Sequence, residues 1–374
     1  MKEIENIEQL EQLLSESGEN LTSIAFQNID LTLHEEKLEA KTITRSLFMG
    51  CTISERLMPQ LIINKNLVFP EMDVPFKTFP PRLYTRETIY NNFNPKDPDS
   101  YNSTYDKITY DHYVDTGRYS PESIYESLAR RLHDHSITDA LMDILRTIPE
   151  KKVIAIMGGH SLSRKNPDYF KVALIAKELS EKGFFLLSGG GPGAMEATHL
   201  GAWFDGYDDR ELAAGVKLLS AAPLYNDPLW LSAAFQVIEA FPKKSGKEDD
   251  IGIPTWLYGH EPPTPFASKI AKYFANSVRE EGLLAHAKGG IIYTPGSAGT
   301  IQEIFQDATQ NHYGSYDIIS PMIFYNKAFW EEEKPVYPLL KKLSKGHTYE
   351  SLLSVSDSVD EIVDTLVCFC QSEE

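Results

Sequence analysis

The 374-residue chain carries 36 Lys and Arg against 54 Asp and Glu, a formal charge of -18, with 42% hydrophobic residues. That length suggests about two domains, and the acidic balance excludes general electrostatic capture of nucleic acid or an anionic membrane. Any anionic ligand must therefore meet local donors in a pocket. Cys51, Cys368 and Cys370 form neither a disulfide framework nor a CxxC pair, and the histidines show no HExxH or ligand-like spacing; a reduced, metal-free protein is expected. The amino terminus, MKEIENIEQLEQLL, is acidic and amphipathic, and no apolar run approaches about 18 residues, so a soluble, cytoplasmic protein is expected.

Residues 1–119 read as an accessory β-rich or α+β domain of unassigned role. AFQNIDL (Ala25 to Leu31), LFMGCTI (Leu47 to Ile53) and VFPEMDV (Val68 to Val74) share an aromatic second position and apolar fifth and seventh positions, with LYTRETI (Leu83 to Ile89) a weaker fourth copy. Intervals near twenty residues predict stacked strand units or a small sheet; chance similarity among aromatic-rich strands is the alternative. Residues 120–374 change character. After Ser120-Pro121, a cap and first-turn pair, IYESLARRLHDHSITDALMDIL predicts two helices.

From Lys151 the pattern is strand, Gly-rich turn, helix. VIAIMGG (Val153 to Gly159) precedes an amphipathic helix over Phe170 to Gly183; FFLLSGGGPGAMEATHLGA (Phe184 to Ala202) and GGIIYTPGSAGTIQEIFQDATQ (Gly289 to Gln310) repeat the design. This alternation predicts an α/β fold, a doubly wound parallel sheet with its ligand at the carboxyl ends of the strands. Three Gly-rich turns then form three walls of one pocket. The first contributes Gly158, Gly159 and Ser161; the second contributes Gly190, Gly191, Met195 and Glu196, with helix start at Gly193 to Met195. Its Gly189, Gly191 and Ala194 formally fit G-x-G-x-x-A, but Pro192 stiffens the turn and no acidic residue ends a following strand at the dinucleotide-binding distance. The third turn contributes Pro295, Gly296, Ser297, Gly299 and Thr300, whose amides and hydroxyls suit a phosphate at a helix N-terminus predicted at Thr300. Glu303 has two readings: the last member of a capping box, T-x-x-E, or an ionised carboxylate beside a phosphate-anchored substrate. Between the second and third turns, Phe241 to Phe266 is predicted to cover the pocket, with Trp256, Tyr258 and Phe266 available for stacking or for packing.

GGGPGAMEA (Gly189 to Ala197) and PGSAGTIQE (Pro295 to Glu303) resemble the paired motifs of the LOG family of Rossmann-like nucleotide hydrolases, long labelled lysine decarboxylases. The family pattern PGGxGTxxE is matched except at Ser297, which stands where the family has glycine. The wording is closer to the longer bacterial nucleosidase branch and covers about Ser120 to Gln310. The resemblance implies hydrolysis of the N-glycosidic bond of nucleoside 5'-monophosphates, no cofactor, and a homodimer or larger even-numbered oligomer with no nucleic-acid or membrane partner. It implies Glu303 and Arg279 as catalytic residues, Arg279 in AKYFANSVREEGLL lying one residue farther from the motif than in short members. Glu303 would face a ribosyl cation or activate water, Arg279 would orient substrate or polarise the base, and Glu196 would bind ribose hydroxyls or complement a helix dipole. Two rivals stand beside this: a nucleotide-sensing or binding protein of the same fold, and an amino-acid decarboxylase, for which no pyridoxal-lysine context is visible.

Overall fold

The amino-terminal repeat folds as a stack of parallel strands. In the computed structural model, which describes residues 1–258 and 261–372, the chain divides into two compact units: Met1–Leu83 with Val114–Leu141, and Tyr84–Tyr113 with Met142–Glu374. The first contains β1 (Lys2–Ile4), β2 (Ile24–Gln27), β3 (Leu47–Met49) and β4 (Leu67–Phe69), neighbours in that order and all parallel. Register aligns Ile4, Phe26, Phe48 and Val68 in one column, and the Phe26 and Phe48 rings stack at 4.7 Å. The third copy is thus offset by one residue from the repeat read in sequence, since Val68, not Phe69, continues the inner column; a one-residue slip exchanges the two faces of a strand. Left-handed backbone recurs before β2, β3 and β4, at Ser23, Arg45 and Lys65, which fixes the corners of the stack. The fourth copy does not join it: Tyr84 makes an antiparallel bridge to Ile270 in the second unit.

The segment Ile124–Leu145 is one continuous helix, α1, not two. It contains neither Gly nor Pro, so nothing in it removes a helical hydrogen bond, and it starts after Ser123, whose Oγ accepts from Tyr125 N–H at 3.1 Å, rather than at Ser120-Pro121.

The second unit is a seven-stranded, wholly parallel sheet: β5 (Val153–Met157), β6 (Phe185–Ser188), β7 (Asp250–Gly252), β8 (Lys269–Ile270), β9 (Gly290–Tyr293), β10 (Met322–Tyr325) and β11 (Leu353–Ser356). Spatial order is β8-β7-β6-β5-β9-β10-β11. The chain starts at the centre, winds out to one edge and then returns to the other side of β5, a Rossmann-like arrangement. The central runs VIAIM, FLLS, GIIY and MIFY are buried throughout, as parallel strands covered on both faces require. Flanking helices include α2 (Pro167–Glu181), α3 (Ala194–Trp203), α4 (Asn276–His286) and α5 (Ala298–Tyr313). Asn166 caps α2 by accepting from Asp168 N–H at 2.9 Å, and Pro167 opens its first turn. The helix is stopped by Gly183 at φ +75. No helix among the described residues is long and apolar enough to cross a membrane.

Candidate functional site

The strand order reverses between β5 and β9, and a crevice opens beyond the carboxyl ends of strands at such a point. Their register pairs Met157 with Tyr293, so the first and third glycine turns leave the sheet side by side. Thr294 N–H reaches Met157 O at 2.8 Å and Gly159 N–H reaches Pro295 O at 3.1 Å. The second turn is tied to the first by Ala194 N–H donating to Gly159 O at 3.1 Å. Gly193 makes that approach possible: its φ is +70, and a Cβ there would fall 2.4 Å from Gly159 O. The three turns predicted to wall one pocket do meet.

They enclose a cavity of about 420 Å³ lined by Gly158, Gly159 and Ser161 of the first turn, Met195 of α3, Arg279 and Glu280 of α4, and Ser297, Gly299, Thr300 and Glu303 of the third turn and α5. His160, Tyr258, Glu261, Ala298 and Gln302 complete the wall. The size suits a small-molecule site, for which about 300 to 1,000 Å³ is usual. Of the residues selected from sequence, Gly191 stands at its edge, where an added Cβ would touch Met195 Cε at 3.0 Å and Glu261 Oε2 at 3.7 Å. Gly190, Pro295 and Gly296 shape the wall from behind. Gly190 packs on the backbone of Gly252 and Ile253 and on the Pro254 ring, Pro295 O receives Gly159, and Gly296 O accepts from Lys334 Nζ at 2.7 Å.

Helix α5 begins two residues before the predicted start. Ser297 holds the N-cap position, makes no side-chain cap, and has φ -115, which any residue adopts; the serine in place of the family glycine meets no backbone strain. The free N–H groups of the first turn, at Ala298 to Thr300, therefore border the cavity, an arrangement that favours an anion. This start also removes the capping-box reading of Glu303. Thr300 is the third helical residue and Glu303 sits well inside the helix, a residue 8% exposed on the cavity wall.

Electrostatics around Glu303 differ from the ionised carboxylate expected. Burial pushes its pKa up to about 7; Arg279 pulls it back and Glu280 pushes it further up. Arg279 is itself buried and fixed by an Nε hydrogen bond to Ile253 O at 2.9 Å. Gly189 leaves room for it, because a Cβ would lie 2.2 Å from Arg279 Nη2. Glu280 is held by Tyr258 OH at 3.0 Å and Gln302 Nε2 at 3.0 Å. Glu261 is likewise raised by burial, against the attraction of His160, Arg279 and Lys272. Among the described residues no cluster of three metal-type donors surrounds this cavity.

Burial decides two readings that the sequence leaves open. Glu196 is 0% exposed and cannot meet a ribose. It grips Arg164 in a two-pronged pair, Nε to Oε2 at 2.9 Å and Nη2 to Oε1 at 2.5 Å, and accepts from Tyr169 OH at 2.9 Å. Of the three aromatic candidates, Tyr258 lines the cavity. Trp256 is instead buried with its Nε1 donating to Asp106 at 3.0 Å, and Phe266 is buried against Trp203.

Sequence reading missed a buried support beneath the second turn. Ser188 Oγ and His199 Nε2 are 2.7 Å apart, His199 Nδ1 and Asp250 Oδ2 2.6 Å, and Gly190 N–H donates to Ser188 Oγ at 3.0 Å. All three side chains are inaccessible, so this Ser-His-Asp row fixes the turn and offers no nucleophile. Burial opposes ionisation of Asp250, but His199 and Lys243 outweigh it and hold its pKa below the ordinary value. Asp250 lies 51 residues from His199, a separation that carries no local signal.

Fold and cavity together define an α/β protein of Rossmann-like type with a cavity at its topological switch point. No family model and no curated protein matches the chain in sequence. Among solved structures it is similar to the molybdenum cofactor binding protein from Rippkaea orientalis (16% identity over 58% of this chain and 95% of that one, TM-score 0.35). It is also similar to the molybdenum cofactor carrier protein from Chlamydomonas reinhardtii (13% identity over 59% and 98%, TM-score 0.36). Likenesses at this level say nothing of ligand or reaction.

Proposed function

We propose that the protein is a LOG-like phosphoribohydrolase that cleaves nucleoside 5'-monophosphates to free base and ribose 5-phosphate. One observation carries the reading: a buried carboxyl, Glu303, and a fixed guanidinium, Arg279, face the same cavity as an uncapped helix N-terminus. The phosphate lies at the N–H groups of Ala298 to Thr300, within reach of the Ser297 hydroxyl. Water adds to the ribose anomeric carbon while the C–N bond pair leaves with the base, which takes a proton. Positive charge builds on the sugar in this step, and a fixed carboxylate stabilises it. Glu303 is that carboxylate and accepts a proton from the water; Arg279 orients the substrate or polarises the base. The hydrolysis uses no cofactor. No lysine is among the described cavity residues, which counts against a pyridoxal-dependent decarboxylase. We further propose an even-numbered homo-oligomer, a homodimer at the smallest, as the family resemblance implies; a monomer at micromolar concentration in light scattering would overturn it.

The test is to incubate purified protein with a panel of nucleoside 5'-monophosphates and assay free base and ribose 5-phosphate together. Equimolar release that falls with Glu303→Gln is expected. Tight binding without release would leave a nucleotide-binding protein of the same fold.

A further inference from the structure

A second cavity, of about 220 Å³ and within the same unit, is walled by aromatic rings: Phe93, Tyr101, Tyr225 and Trp230, with Pro228 and Pro262 between them. It adjoins the first cavity along two seams. Pro262 follows Glu261 of the first cavity in sequence, and the Tyr225 ring meets the ring of His160, another wall residue of the first, edge to face at 5.7 Å. The aromatic wall is held at considerable electrostatic cost. Arg164, 1% exposed, donates through Nη1 to Ala222 O and Trp230 O, each at 3.1 Å, and its guanidinium lies 4.7 Å from the Trp230 ring centroid. Its charge is balanced by Glu196, the carboxylate that does not reach the ligand. A buried charge pair is costly to desolvate; here it clamps the segment from Ala222 to Trp230, which carries Tyr225, against the first glycine turn.

We propose that this aromatic cavity is the base subsite, taking the planar heteroaromatic ring of a nucleotide whose ribose and phosphate occupy the first cavity. Rings of Tyr, Phe and Trp bind any base through its π-face, which makes the subsite tolerant of base identity. The inference rests on the proposed function for the position of sugar and phosphate, but its test does not need turnover. Calorimetric titrations of AMP and of ribose 5-phosphate are compared in the slow Glu303→Gln background, which serves as the parent, and in the same background carrying Tyr225→Ala or Phe93→Ala, the two replaced residues being half-buried on different segments of the wall. The parent should bind AMP more tightly than ribose 5-phosphate. Each variant should lose about tenfold or more in AMP affinity, with ribose 5-phosphate affinity unchanged. Tyr225→Phe should bind AMP as the parent does, which separates loss of the ring from loss of the fold. Equal affinity of the parent for the two ligands, parent-like AMP binding by both alanine variants, or parallel loss of both ligands overturns the subsite. Selective loss of AMP binding where the unsubstituted protein never releases base supports the subsite and sinks the hydrolase reading instead.

Discussion

Replacing Glu303 by Gln keeps its shape and removes the one charge on which the proposed chemistry turns. Burial lifts this carboxyl from an ordinary 4.5 to about 7. At about 1.4 kcal/mol per pH unit, ionising it in the folded protein costs about 3 kcal/mol. The folded state keeps a proton that the unfolded chain gives up near pH 4.5, so this group lowers stability progressively as pH rises from about 4.5 to 7. The loss is complete above that. Below pH 4.5 the carboxyl is neutral in both states and contributes no difference. Glu303→Gln should therefore match the parent in urea unfolding at pH 4.5 and exceed it by up to about 3 kcal/mol at pH 8, while turnover falls by about a hundredfold or more. AMP binding should persist or tighten, since a carboxylate no longer faces the phosphate. A variant less stable than the parent at pH 8, or one that hydrolyses at the parent rate, would refute the assignment of Glu303 as a strained catalytic carboxylate.

If ionised Glu303 limits kcat/KM, the rate should rise with pH through about 7. Removing the repulsion in Glu280→Gln should shift that limb to lower pH, and the residual activity of Arg279→Ala should show it at higher pH; pH-rate profiles of the two variants moving the same way would contradict the electrostatics. Gly193→Ala places a Cβ against Gly159 O in a left-handed backbone and should lower stability by about 1 to 3 kcal/mol or more, read in thermal melts. Glu196→Ala strands a buried guanidinium and should cost about 3 to 5 kcal/mol in urea unfolding, whereas a loss below about 1 kcal/mol would show that Arg164 finds other partners.

Local pattern determined the alternation of apolar strand, glycine turn and helix over residues 153–310, because a fully buried parallel strand and an amphipathic helix each leave a periodic trace. It also determined the three turns and the residues within them, since close backbone contact admits little besides glycine. Even the twenty-residue repeat was legible, though its register at Phe69 was not; that depends on which side chain fits beside Phe48. Tertiary structure decided what each acidic residue does. Glu303 and Glu196 both follow a glycine turn near a helix start, and sequence left each with two readings, a cap or a catalytic carboxylate for Glu303 and a ribose contact or a helix-dipole complement for Glu196. Packing assigned them differently: Arg164, 32 residues away, claims Glu196 completely, while the early start of α5 turns Glu303 into a buried cavity wall. Burial and the partner brought from a distant part of the chain set a carboxylate's charge and its task, and neither is encoded within reach of a local motif.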